Sequence, residues 1–106
     1  LRREFAESFT RVDAVALPTA VQSAFPLGSL LDDPVAMHDI DIYTVPASLA
    51  GLPALTVPTG VDGSGLPLSF QLTGPAFGEE VLVSLAAALE RAREVRTRKQ
   101  APGNRA

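Results

Sequence analysis

A glycine-rich turn between two short apolar segments limits the possible folds of this chain more than any other feature. Residues 60–65 contain three glycines, which favour a sharp reversal of the chain. After the turn, apolar residues alternate with others over 66–72, as in a strand with one buried face. Before it, the apolar segment 55–57 ends at Pro58. The pattern predicts an antiparallel hairpin whose first strand stops at Pro58.

The remaining segments have mostly helical patterns, with one further strand-like segment. Apolar residues at helical spacing predict amphipathic helices at both ends of the chain. Asp33 is a suitable N-cap for a short helix that begins at Pro34. The predicted elements outside the hairpin are a helix over 1–11, a strand over 14–17, a surface loop over 19–33, a helix over 34–37, a helix over 44–50 and a helix over 77–96.

Three strands form too small a sheet to cover this much apolar helix. We therefore expect an α/β fold in which the chain contributes to the edge of a larger mixed sheet with flanking helices. The chain begins at Leu1, within a predicted helix, so we expect it to be a fragment. Residues 1–96 are expected to form part of one domain. The polar segment 97–106 is expected to be a disordered tail.

The composition excludes several classes of protein. Of the 106 residues, 46% are hydrophobic and 20% are charged, which is typical of a globular protein and not of a disordered one. The net charge of −3 gives no reason to expect nucleic-acid binding by the whole chain. Without cysteine there is no disulfide and no thiolate metal site. No apolar segment is long enough to cross a membrane, and no signal peptide opens the chain.

The residues suited to catalysis do not form a recognisable hydrolytic site. The one histidine, His38, is interpreted as a surface residue, and no serine lies in a G-x-S-x-G elbow. A basic segment near the end of the chain includes Arg91, Arg93 and Arg96. It could contact RNA through charge, but a solvated helix end is favoured because no aromatic residues interleave for base stacking.

Four aspartates lie close together in the sequence. Oxygen ligands for magnesium or calcium are conceivable, but the spacing matches no metal motif. Asp32, Asp33 and Asp39 are better explained as helix caps and solvated surface. Asp41 is different because a mostly apolar segment follows it, and a carboxylate in such a setting needs a donor or a cation. From the residues alone, Asp41 is either a structural cap or a ligand contact.

Several motifs in one order resemble the C-terminal region of amidase-signature enzymes. Within that family they are most similar to the A subunits of glutamyl-tRNA(Gln) and aspartyl-tRNA(Asn) amidotransferases. The resemblance extends to about Arg93. The segments that carry it are Asp32-Asp33-Pro34-Val35-Ala36-Met37, residues 41–54, Val57-Pro58, Gly65-Leu66-Pro67, Gln71-Leu72, Gly74 and Phe77-x-Glu79.

The resemblance implies an amide-hydrolysing enzyme with two serines and a lysine, all upstream of this region, so no catalytic residue is expected in this chain. An A subunit releases ammonia from glutamine. A B subunit uses the ammonia, with ATP and magnesium, to amidate Glu on its tRNA, and a small C subunit wraps the A subunit. The resemblance implies a cytoplasmic location. Asp41 matches an aspartate that helps hold the amino group of glutamine.

Some positions depart from the family pattern. His38 stands where tyrosine is usual, Ser48 replaces a common asparagine, and Ser69-Phe70 replaces a more usual Gly-Leu. Two alternatives to a glutaminase subunit also stay open. One is a fragment of a stand-alone amidase that acts on another small amide, and the other is a non-catalytic binding or structural module.

Overall fold

A computed structural model of the protein describes residues 1–20, 22–29, 31–39 and 41–100. Its helices and strands follow one another in the order that the sequence predicts. In chain order they are α1 (Arg2–Ser8), β1 (Val15–Pro18), α2 (Pro34–Asp39), α3 (Val45–Ala50), β2 (Ala54–Val61), β3 (Pro67–Thr73) and α4 (Glu79–Gln100).

The three strands form one antiparallel sheet in the order β1-β3-β2. The hairpin of β2 and β3 is confirmed, with Leu55 opposite Leu72. On the other side of β3, Ala16 of β1 also lies opposite Leu72. The last strand of the hairpin is therefore the centre of the described sheet, and two distant parts of the chain flank it.

The prediction that the first hairpin strand ends at Pro58 is wrong. β2 continues to Val61, with a shift in register between Pro58 and Gly60. Proline lacks the N–H that the hydrogen-bond ladder of a sheet needs. It is therefore restricted to edge strands and to irregularities in strand pairing. Both conditions hold here, because β2 pairs only with β3 in the described sheet. Pro18 is likewise part of β1 and does not merely follow it.

One face of the sheet packs against α4. Val57, Leu72 and Leu82 form the buried core there, each at most 4% exposed. The alternating segment 66–72 predicts a strand buried along one face, but only its far end is buried. Leu68 and Phe70 are 40% and 43% exposed. The contact between Leu82 and Gly74, which follows β3, shows that the helix packs near the end of this strand.

The opposite face lies against the segment that leads into α3. Gln71 and Thr73 point away from the Leu72 side because side chains alternate along a strand, and both are buried. The Gln71 Nε2 atom donates to the Tyr43 carbonyl at 2.8 Å. This hydrogen bond satisfies a buried amide and fixes the chain just after Asp41 to the middle strand of the sheet.

The ends of the short helices follow local chemistry. Asp33 Oδ1 accepts the Ala36 N–H at 3.1 Å, which confirms the predicted cap of α2. α3 ends at Gly51, whose φ of 70° is a left-handed conformation, as the sequence predicts. α1 is shorter than the predicted 1–11. It ends at Ser8, and Thr10 Oγ1 then donates to the Glu7 carbonyl at 2.6 Å, since such hydroxyls compete with helical hydrogen bonds.

The last helix extends further than the sequence indicated. α4 continues to Gln100 and so includes residues 97–100, which were expected to begin a disordered tail. Arginine, lysine and glutamine are good helix formers, so a polar composition there does not end a helix. Residues 101–106 of the expected tail lie outside the described residues, and the domain boundary at residue 96 stays a prediction.

Candidate binding cavity

A cavity of about 600 Å³ lies where the loop after β1, the segment before α3 and the hairpin meet. Polar side chains from all three parts line it together with aromatic ones. They include Thr19, Ser23 and Phe25 from the loop, Asp41 and Thr44 from the segment before α3, and Ser69 and Phe70 from β3. The volume is in the range of small-molecule sites, which are mostly apolar with a few polar groups.

Asp41 lines this cavity, and its main chain rather than its carboxylate serves α3. The Asp41 carbonyl accepts hydrogen bonds from the N–H groups of Thr44 and Val45, at 3.1 and 3.0 Å. It also accepts a hydrogen bond from the Thr44 hydroxyl at 3.2 Å. The carboxylate has no hydrogen-bond partner within the described residues. The sequence left open whether Asp41 is a structural cap or a ligand contact. The structure gives its carboxylate no capping role, and its role in substrate binding stays a prediction.

A pair of hydroxyls joins the loop to the sheet at one side of the cavity. Ser69 Oγ donates to Thr19 Oγ1 at 2.9 Å, across 50 positions of sequence. The Thr19 N–H also donates to the Ser69 carbonyl at 3.2 Å. Sequence reasoning noted Ser69 only as a departure from the family pattern and did not place it, Thr19 or Ser23 at a site. No local signal connects residues that are so far apart in the chain.

The hairpin turn is organised by Asp62. Its Oδ1 accepts the N–H groups of Ser64 and Leu66, at 2.8 and 3.0 Å. A hydrogen bond from the Ser23 side chain has the largest effect on this group and lowers the pKa of the Asp62 carboxyl, as does the bond from Leu66. Hydrogen bonds to the charged form favour that form. Asp62 therefore stays ionised at neutral pH and organises the hairpin turn in that form.

The depressed pKa of Asp62 predicts how an Asp62→Asn variant of the full-length protein responds to pH. A group whose pKa is lower in the folded state stabilises above its unfolded value, about 3.9, and loses that effect as pH falls through the folded value. The melting temperature of Asp62→Asn should thus lie below that of the unmodified protein by a constant amount from about pH 8 to about pH 5. This difference should shrink only in stronger acid. Thermal unfolding across this range measures it, with Asp32→Asn as control. A deficit that disappears between neutral pH and pH 5 would contradict the prediction.

The other candidate residues do not assemble into a metal site. His38 and Asp39 belong to α2, and Asp33 caps that helix. Within residues 1–20, 22–29, 31–39 and 41–100, no three histidine, aspartate or glutamate side chains come together in a way that could hold a metal ion. In the same part of the chain, no helix combines the length and the apolar character that a membrane span requires.

Comparison with known proteins places this arrangement in a family. The family model described as Amidase matches residues 1–83. The chain is 51% identical over 92 residues to a protein named as the A subunit of glutamyl-tRNA(Gln) amidotransferase from Granulibacter bethesdensis, covering 87% of this chain and 18% of that protein. It is also 51% identical over 88 residues to the protein of the same name from Maricaulis maris, covering 83% and 18%. The chain thus spans about a fifth of the length of these relatives.

A solved structure agrees with the sequence matches. It is the crystal structure of the A subunit of glutamyl-tRNA(Gln) amidotransferase from Thermotoga maritima, with a TM-score of 0.68 and 39% identity, over 72% of this chain and 16% of that one. The resemblance that the motifs indicated is confirmed, and so is the expected α/β fold with its hairpin and last helix. The chain belongs to the amidase family.

Proposed function

We propose that this chain is the C-terminal portion of a glutaminase subunit that releases ammonia from glutamine for the conversion of Glu-tRNA(Gln) to Gln-tRNA(Gln). The observation that carries the proposal is the 51% identity to proteins named as the A subunit of that amidotransferase. The identity covers 87% of the chain in one case, and it includes the segments that surround the cavity.

The cavity has groups that suit the binding of glutamine. At neutral pH, free glutamine carries an ammonium, and a carboxylate without an internal partner is a strong acceptor for it. Asp41 offers such a carboxylate at the cavity. The phenyl rings of Phe25 and Phe70 line the same space and could contact the methylene groups of the ligand. The substrate-binding role of Asp41 is therefore part of the proposal.

The chemistry of bond cleavage is assigned to other parts of the polypeptide. The resemblance implies two serines and a lysine upstream of residues 1–106, so this portion binds and orients the substrate. We further propose that the protein works with a B subunit, which uses ATP and magnesium, and with a small C subunit. In this proposal, tRNA is reached through the complex, the location is cytoplasmic, and this chain itself holds no cofactor.

The test is the substrate range of the full-length protein in its complex. We expect ammonia release from glutamine, and Gln-tRNA(Gln) formation from Glu-tRNA(Gln) when ATP and magnesium are present. The 106-residue chain assayed alone should release no ammonia, because the proposal assigns the nucleophile and its base to other parts of the polypeptide. Hydrolysis of other small amides but not glutamine would overturn the proposal in favour of a stand-alone amidase. Ammonia release by the 106 residues alone would contradict the assignment of catalysis to upstream residues.

A further inference from the structure

We infer that Gln71 is a positioning residue for glutamine binding, because its buried amide holds the main chain beside Asp41 in place. The inference rests on the proposed function and extends it to a residue outside the lining of the cavity. Gln71 lies on β3, the middle strand of the sheet, and is only 5% exposed. Its Nε2 atom donates to the Tyr43 carbonyl at 2.8 Å. This hydrogen bond connects the sheet to the segment that carries Asp41.

The segment 41–44 needs such a contact to keep its position. It belongs to no helix or strand, and connecting segments are in general more mobile than the elements they join. Its two ends, Asp41 and Thr44, line the cavity, and Tyr43 lies between them. The hydrogen bond to Tyr43 therefore acts on the part of the cavity that offers the carboxylate.

The main chain connects Tyr43 to Asp41 within one turn. The Asp41 carbonyl accepts the N–H groups of Thr44 and Val45, at 3.1 and 3.0 Å. These bonds close the turn around Tyr43, so that the turn moves as a unit. A hydrogen bond that fixes the Tyr43 carbonyl thereby also fixes the backbone of Asp41, from which the carboxylate extends into the site.

Gln71 is itself firmly attached. It lies opposite Leu17 of β1 and Thr56 of β2, so strands on both sides hold its backbone. Its Nε2 atom also reaches the Thr73 hydroxyl, at 3.4 Å. An amide nitrogen carries two hydrogens and can serve both oxygens. Since a buried donor that loses its partner costs free energy, the side chain is held in the orientation that meets Tyr43.

Loss of the Gln71 amide should appear in the KM for glutamine. A segment 41–44 without this bond would have to be ordered each time glutamine binds, and ordering backbone opposes binding. Bond cleavage is assigned to upstream groups, so turnover at saturating glutamine should change little. Amidation with added ammonia should also be unchanged, because ammonia bypasses the glutamine site.

The experiment compares Gln71→Met, Gln71→Leu and Thr73→Val in the full-length protein in its complex. The first two remove the amide at similar volume, so either one carries the test. We expect them to raise the KM for glutamine about two- to tenfold, as for the loss of one hydrogen bond. Thr73→Val is the matched control. It alters a buried residue on the same face of β3 but leaves the bond to Tyr43 in place, and should keep the KM near that of the unmodified enzyme.

Two further measurements show whether Gln71 acts through Asp41. In an Asp41→Ala background, adding Gln71→Met should raise the KM no further, because the carboxylate that Gln71 positions is already absent. The amides of Thr44 and Val45, which donate to the Asp41 carbonyl, should exchange hydrogen faster in Gln71→Met and Gln71→Leu than in Thr73→Val.

Each contrary result has a distinct meaning. An unchanged KM in the Gln71 variants would overturn the inference, and so would an equal rise in Thr73→Val, which would assign the effect to the sheet as a whole. A rise in KM of the same factor with and without Asp41 would show that Gln71 acts by another route. Absence of glutamine hydrolysis in the unmodified enzyme would instead refute the proposed function. Unchanged exchange at Thr44 and Val45 would refute the positioning role whatever the substrate.

Discussion

Replacing Asp41 with alanine in the full-length enzyme should sharply weaken its use of glutamine and leave its use of free ammonia intact. The Asp41 carboxylate lines the cavity and has no hydrogen-bond partner within the described residues. If it holds the ammonium of glutamine, its loss removes a charged hydrogen bond, which contributes on the order of 2 to 4 kcal/mol. That corresponds to a rise of roughly 30- to 1,000-fold in the KM for glutamine.

Two comparisons make this result specific. Asp39→Ala removes a carboxylate two positions earlier, from an exposed residue that does not line the cavity, and should leave the KM near that of the unmodified enzyme. Asp41→Asn keeps the shape of the side chain but not its charge, and should resemble Asp41→Ala. Ammonia-dependent amidation measures whether the rest of the complex is intact. An Asp41→Ala enzyme whose KM for glutamine is unchanged would remove Asp41 from the site.

The second large effect concerns stability and the packing of α4 on the sheet. Leu82 is only 2% exposed and packs with Val57 and Leu72. Truncation of a buried leucine to alanine costs about 2 to 5 kcal/mol, because it leaves a cavity that the surroundings only partly fill. Leu82→Ala should therefore lower the unfolding midpoint of the full-length protein. Val83→Ala, one position later on the same helix but 62% exposed in this chain, should lower it less.

Gly74 provides a sharper version of this test. A Cβ atom at Gly74 would lie 3.1 Å from both Cγ and Cδ2 of Leu82. Gly74→Ala alone should therefore be overpacked and cost about 1 to 3 kcal/mol. In the double variant with Leu82→Ala, the new methyl group meets a smaller neighbour. The double variant should therefore lose about 1 kcal/mol less stability than the sum of the losses in the two single variants. Strict additivity in chemical denaturation would show that these two sites do not share the same packing.

Local patterns were sufficient to predict most of the elements. The glycine turn and the alternation after it predicted the hairpin, and Asp33-Pro34 and Gly51 marked the ends of α2 and α3. These features act over a few residues, so they depend little on the rest of the fold. The errors arose where a partner strand or a nearby carbonyl changes a local preference. Pro58 is accommodated by its edge position, and Thr10 bonds to the carbonyl of Glu7 beyond the end of α1.

The site could be predicted only in part. Asp41 was singled out by its mostly apolar surroundings and by the family motif, and the structure places it at a cavity. Thr19 and Ser69 were not identified, because their significance depends on a contact across 50 positions of sequence. The order of strands in the sheet was equally hidden, since nothing in a strand's own sequence states which neighbour it will pair with.

By itself, then, the sequence determined the family and the types of its elements, and it singled out Asp41 as a hypothesis for substrate binding. Those follow from residue chemistry and short-range periodicity. The tertiary structure alone decided that β3 lies between β1 and β2, that α4 buries only the Leu72 end of that strand, and that Thr19 of the loop is hydrogen-bonded to Ser69 of β3. These are outcomes of long-range packing, in which distant segments compete for the same apolar surface and the same hydrogen-bond partners.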